Sequence, residues 1–344
     1  MRLADEPYFS ILVLCFNVEQ YLGEFLQSVF AQTFAGWELV LVDDGSEDTT
    51  GSLIDEAQEA YPEKITAIHQ KHAGQFVTRM TALDKAQGAY VVFADADDCL
   101  RSDALELIFE CAAQRPDALI QFKYSIRADF SSVDGPKYPQ TVELKDSVLS
   151  ARDYMLCACE SNFNNLWNKA IPAKFAKLGE GYSKYKGVAI GEDVIYLMGV
   201  LKQIDAVVAL DEVLYFYRQH PSSVMHVFNP NNFHFQKAMC EAIEGTAKRW
   251  KDERIEDAVK KKRLILCVES VRYLMSSNYN FSKLHKAVRD ICSDPFLRQS
   301  LDKRYYSELS WKRRVLVRLI EHKWFFMVAV SVCFERARLS ALSS

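Results

Sequence analysis

An α/β protein with a parallel sheet flanked by helices and a helical extension is predicted by three features of this 344-residue chain. Strand-like and helix-like patterns alternate through the first 125 residues. The strand-like runs are apolar nearly throughout, as strands covered on both faces are. Beyond Asn229 the pattern turns almost wholly helical. The alternation implies right-handed crossovers between parallel strands, with helices on the faces of the sheet.

Taken in order, residues 9–16 are apolar but for Ser10 and form the first strand. Val18, Tyr21, Leu22, Phe25, Leu26, Val29 and Phe30 recur at helical spacing. Strand 38–42, helix 53–60, strand 65–69 and helix 75–86 follow, then strand 90–94, helix 104–112 and strand 118–124. Residues 126–225 are mixed, with strands expected at 165–171 and 213–218 and a helix at 193–202. The Asn-Pro-Asn-Asn break at 229–232 sets a domain boundary. Residues 1–228 form one domain, in two halves of about 8–125 and 126–228, and 229–344 form the helical extension.

Bulk properties narrow the function classes. An apolar fraction of 49% excludes a disordered chain. A net charge of -4 argues against nucleic-acid binding through overall charge. The nine cysteines are scattered, and several (Cys15, Cys111, Cys267, Cys333) sit in apolar runs. Cys157 and Cys159 lack zinc-knuckle or redox spacing. Unpaired cysteines in apolar settings imply a reducing, cytoplasmic location. Residues 1–8 lack signal-peptide character, and no apolar run reaches the roughly 18 residues of a membrane span.

Ligands of open parallel sheets bind beyond the carboxyl ends of the strands, where strand order switches. Three polar motifs fall at such ends: Asn17, Asp43-Asp44-Gly45-Ser46 and Asp95-Ala96-Asp97-Asp98. Three crowded carboxylates repel one another unless a cation sits among them, and oxygen-rich sets suit Mg2+ or Mn2+. The plainer alternative is an acidic turn. Asp43-Asp44 fits either a nucleotide-binding pair or helix capping. Glu192-Asp193 fits either a catalytic pair or favourable charge in a first helical turn.

Together, residues 10–17, Gln32-Thr33, residues 42–50 with their Asp-Asp-Gly-Ser core, Gly74 with Arg79, and Gly88-Ala89-Tyr90 leading into the acidic tetrad resemble glycosyltransferase family 2. The resemblance continues through Trp167-Asn168-Lys169, Gly191-Glu192-Asp193 and residues 214–218 with Ser223, covering about residues 8–226. It implies the GT-A fold and an inverting, metal-dependent transferase of the hexosyl or N-acetylhexosaminyl type. The acceptor would be a hydroxyl of a cell-surface polysaccharide or lipid-linked glycan of the bacterial type. By the same resemblance, Asp44 beside Asp43 would read the uracil of a UDP-sugar, with Phe16 and Asn17 bordering the nucleotide. Arg79 would contact the base or diphosphate, and Asp95 the ribose or sugar. Asp97, with His226, would bind Mn2+ or Mg2+. Asp193 would be the catalytic base, supported by Glu192. The chain departs from the family pattern at Leu14-Cys15-Phe16-Asn17, at Met80 and at His72. A non-catalytic nucleotide-sugar-binding scaffold and an Asp-based phosphotransferase remain alternatives.

Residues 311–338 are expected to form one helix of about 42 Å at a rise of 1.5 Å per residue. Seven basic residues face two acidic ones there, and the central eleven residues, 324–334, are mostly apolar. This pattern suits a peripheral helix on the inner face of the cell membrane, a partner contact, or docking on the first domain.

Overall fold

The computed structural model of the protein describes residues 6–135, 147–160, 164–219 and 228–342. The chain divides into two compact units, Met1–Gln219 and His220–Ser344.

The first unit is built on one mixed sheet. Four parallel strands form its first half: β1 (Phe9–Cys15), β2 (Trp37–Asp43), β3 (Ile65–His69) and β4 (Tyr90–Asp95). They lie in the order β3-β2-β1-β4, so the chain winds one way from β1 and then returns to its other side. The switch point falls between β1 and β4. Helices α1 (Glu19–Phe30), α2 (Thr50–Ala60), α3 (Gln75–Lys85) and α4 (Ala104–Gln114) occupy the crossovers. Ile11, Val13, Leu39 and Leu41 pack with Leu22, Phe25, Ile54 and Ile108 in one core. Helix α3 packs on β1 and β2, and its buried Phe76 and Leu83 lie outside that core.

The second half departs from the all-parallel expectation. Past β5 (Cys99–Leu100), β6 (Leu119–Ser125), β7 (Val148–Ser150) and α5 (Ala151–Glu160), strand β8 (Lys169–Pro172) inserts antiparallel between β4 and β6. After α6 (Ala173–Ala176) and α7 (Glu192–Leu201), β9 (Ala206–Phe216) runs parallel to β6 and antiparallel to β5 and β7. A parallel β4–β8 pair would need a full crossover between neighbours. Insertion from the far side instead places residues 164–169 and the start of α7 beside the switch point.

The second unit is helical: α8 (Asn232–Ala247), α9 (Glu253–Tyr273), α10 (Phe281–Ser293), α11 (Pro295–Ser300), α12 (Trp311–Glu321) and α13 (Phe325–Leu342). Val268, Val271, Leu284, Val288, Val317 and Val328 share its core. The single long helix expected over 311–338 is in fact two. Lys323 adopts a left-handed φ of 59°. Trp324 N–H donates to Leu319 C=O at 2.9 Å and Lys323 N–H to Ile320 C=O at 3.0 Å. This bond pair is a Schellman stop, and it carries lysine where glycine would have signalled it in the sequence. Among the described residues no helix is long and apolar enough to cross a membrane.

Candidate functional site

Strand register brings the polar motifs together. Cys15 pairs with Asp43, Asp43 with His69, and Leu14 with Asp95, so β1, β2, β3 and β4 end side by side. The loops beyond them build one cleft wall from interlocking hydrogen bonds. Asn17, at a positive φ of 52°, accepts from Glu47 N–H at 2.8 Å, while its own N–H donates to Ser46 Oγ at 3.0 Å. Asp43 Oδ1 accepts from Ser46 N–H at 2.9 Å, and Oδ2 lies 3.1 Å from His69 Nδ1. Burial acts to raise Asp43, yet the Ser46 hydrogen bonds and His69 outweigh it and hold the carboxyl below its usual range.

Asp44 is only 4% exposed, and its oxygens are heavily committed. Oδ1 accepts from Gln70 Nε2 at 2.7 Å and Ala73 N–H at 2.8 Å, and Oδ2 accepts from Gly74 N–H at 2.9 Å. His72 Nδ1 lies 3.1 Å from Oδ2. This carboxylate folds the 70–74 loop, so a nucleobase N–H would have to share or displace those donors. Beside it the exposed Phe16 ring meets His72 at a centroid distance of 4.6 Å. The sequence assigns His72 no role; the pairing of β3 with β2 brings it to Asp44.

Oxygens of Asp95, Asp97 and Asp98 lie within 4.8 Å of one another. The set is all carboxylate, which suits a hard divalent cation. Its members differ. Asp98 is buried and its Oδ1 accepts from Arg218 N–H at 2.7 Å. Burial, then the charges of Asp95 and Asp97, push it up to about 9. Asp95 keeps an open face, but the cleft walls and the charges of Asp97 and Asp193 raise it to about 7. Two residues not assigned from sequence fix this loop. Arg218 Nε donates to Asp97 C=O at 2.7 Å while Nη2 binds Glu24 at 2.6 Å. Tyr215 hydroxyl accepts from Asp95 N–H at 3.0 Å. Trp167 stacks between Tyr215 and Tyr217.

Opposite stands α7. Gly191 takes a left-handed φ of 87° as its N-cap residue, a turn that a Cβ would strain. Asp193 is partly exposed, and Arg79 Nη2 donates to its Oδ1 at 2.7 Å. Arg79 itself is 6% exposed, with its Cζ 5.4 Å from the Phe93 ring centroid and 5.9 Å from that of Tyr196. Its Nε and Nη1 are buried without a hydrogen-bond partner, an expensive state for a guanidinium unless an anion completes it. Burial, and then the Asp193 charge, raise Glu192 to about 7. Lys169, fully buried, donates to Asn168 Oδ1 at 2.8 Å and to Asn165 C=O. Burial lowers it to about 7 against the opposing pull of Asp193. His226 lies outside the described residues.

Residues 10–147 match the family model described as glycosyl transferase family 2. This domain belongs to that family. GlyA of Streptococcus pneumoniae serotype 4, a glycosyltransferase, is 28% identical over 68% of this chain but only 34% of its own length. The chain therefore spans about a third of that relative. Bacillus subtilis EpsH, assigned provisionally to the glycosyltransferases by its name, is 23% identical over 96% of this chain and 97% of its own. The crystal structure of Staphylococcus aureus TarS 1-349 in complex with UDP-GlcNAc has a TM-score of 0.64 at 16% identity. It covers 96% of this chain and 92% of that one. The mannosyltransferase PcManGT of Pyrobaculum calidifontis, in complex with GDP-Man and Mn2+, has a TM-score of 0.51 at 15% identity, covering 94% and 86%. The family 2 domain thus has the GT-A fold, followed by helices.

Proposed function

We propose that the protein is an inverting glycosyltransferase that moves a hexosyl or N-acetylhexosaminyl group from a UDP-sugar to an acceptor hydroxyl. The acceptor is a surface polysaccharide or lipid-linked glycan, met at the inner face of the membrane. One observation carries the reading: an all-carboxylate cluster and the Arg79–Asp193 pair both line the switch point of a family 2 domain. The UDP-GlcNAc complex of TarS supports the choice of donor. The GDP-Man and Mn2+ complex of PcManGT supports a divalent cation.

In this reading the uridine lies against the ledge of Phe16 and His72, in a pocket whose loops Asn17, Asp43 and Asp44 hold in shape. Asp97 and Asp95 would hold Mn2+ or Mg2+, which would neutralise charge on the leaving diphosphate. Arg79 offers Nε and Nη1 to a phosphate oxygen. Asp193, oriented by the remaining arm of Arg79, accepts the acceptor's hydroxyl proton. The acceptor oxygen bonds to the anomeric carbon as the bond from that carbon to the diphosphate oxygen breaks, its electron pair leaving with UDP. Glu192, the buried carboxyl beside it in the first turn of α7, supports Asp193 in that role.

The deciding experiment is a nucleotide-sugar panel read by UDP release, with and without EDTA and with Asp97→Ala. Release from a UDP-sugar that chelation and the substitution each abolish is expected. Activity untouched by both would refute the metal role, and silence across all UDP-sugars would refute the donor class.

A further inference from the structure

The second unit carries a surface the catalytic reading does not use. Of the twelve large apolar side chains left exposed among the described residues, eight fall between residues 281 and 334, so the exposure is concentrated rather than scattered. Helix α13 shows why. Val328, Ala329 and Val332 are buried on its inner side. Phe326, Met327, Val330 and Phe334 fall within about a third of a turn on its outer side, and Phe334 is 75% exposed. A helix apolar on both sides is ordinarily covered on both.

Its neighbours extend the surface. Trp324, 59% exposed, stands in the turn before α13, and Trp311 and Val315 are exposed one turn apart on α12. Phe281 at the start of α10 meets Phe326 at a centroid distance of 5.4 Å. Cations are interleaved. Lys312 and Arg313 are tied to Glu335 and Glu269, but Arg314, Arg318, Lys323 and Arg338 are exposed with no ion pair among the described residues. Charge on the scale of the unit agrees. Residues 220–344 hold 23 Lys and Arg against 13 Asp and Glu, a net of +10, whereas residues 1–219 hold 19 against 33, a net of -14. The overall -4 conceals this polarity.

We propose that the outer faces of α12 and α13, with the Trp324 turn, dock on an anionic lipid surface. Tryptophan, phenylalanine and unpaired arginine side by side match the acyl–headgroup boundary, where rings bury and cations meet lipid phosphate. A second copy of the chain fits less well. Cores of protein interfaces are depleted of charge, and a twofold contact here would set unpaired cations against themselves.

Flotation of the full chain with vesicles tests this without donor or acceptor, so it stands apart from any failure of the transferase reading. Binding to equal parts phosphatidylglycerol and phosphatidylcholine, and not to phosphatidylcholine alone, is expected. Arg314→Gln with Arg318→Gln and Lys323→Gln should weaken binding about fivefold per cation removed. Trp324→Ser with Phe326→Ser and Phe334→Ser should abolish it while leaving the circular dichroism spectrum unchanged. Should the serine variant fail to fold, brominated lipid decides on the wild type: tryptophan quenching supports the proposal and its absence overturns it. Absence of flotation, or a dimer in sedimentation that the serine substitutions disperse, would also overturn it.

Discussion

At the residue scale the site is a contest between burial and charge. Asp193 stands apart from the other carboxylates because it is partly open and held by Arg79 at 2.7 Å. Removing its proton-accepting capacity while keeping its shape isolates that role. Asp193→Asn should lower kcat by about 10^2 to 10^4 with little change in donor KM, measured by UDP release at saturating donor. Near-normal transfer would sink the base assignment. Glu192 offers a thermodynamic counterpart. A carboxyl whose folded-state pKa lies above its unfolded value costs stability progressively as pH climbs between the two, here from about 4.5 to about 7. Glu192→Gln should therefore stabilise the protein at pH 8, by something on the order of 2–3 kcal/mol, and make no difference near pH 4. Urea denaturation at both pH values checks it; equal effects would show that the raised affinity belongs to another group.

At the element scale the cleft depends on loops that touch with no spare room. Gly45 has a φ of +79°, and a Cβ there would lie 2.8 Å from the backbone nitrogen of His72. Neither atom belongs to a flexible side chain, so Gly45→Ala must push the β2–α2 and β3–α3 loops apart. A loss of about 1–3 kcal/mol in stability and a raised donor KM are expected; an unchanged UDP affinity by calorimetry would show that the loop contact is not needed for the nucleotide. This contact also marks what could be read from sequence. The alternating first half was legible because its strands are uninterrupted apolar runs and its helices have one apolar stripe. The antiparallel entry of β8 was not, since a short buried strand carries no mark of its direction. The break at Lys323 was hidden because the left-handed residue is lysine. In the site, Asp95, Asp97 and Asp193 stood out as acids at element ends. Arg218, His72 and Lys169 did not, because their contacts join residues 28 or more positions apart or depend on burial.

At the scale of the whole molecule, the acidic first unit concentrates its strain at Asp95, Asp97 and Asp98. A bound divalent cation would relieve that strain, and by mass action a ligand held only by the folded state stabilises it, by about 2.7 kcal/mol at a hundredfold excess over Kd. For a chain of this size that is roughly 4 °C in Tm. The effect should depend on pH in a definite direction. Without metal, Asp95 and Asp98 are raised to about 7 and about 9, so at acid pH a cation must displace protons from the cluster, and its apparent affinity falls. Mn2+ should therefore raise Tm clearly at pH 8 and barely at pH 5 in a thermal melt of the intact chain. Asp97→Ala should flatten the response at both pH values and, by removing a carboxylate that repels Asp95, melt no lower than the metal-free wild type at pH 8. A Mn2+ response that persists undiminished in Asp97→Ala would place the cation elsewhere in the molecule.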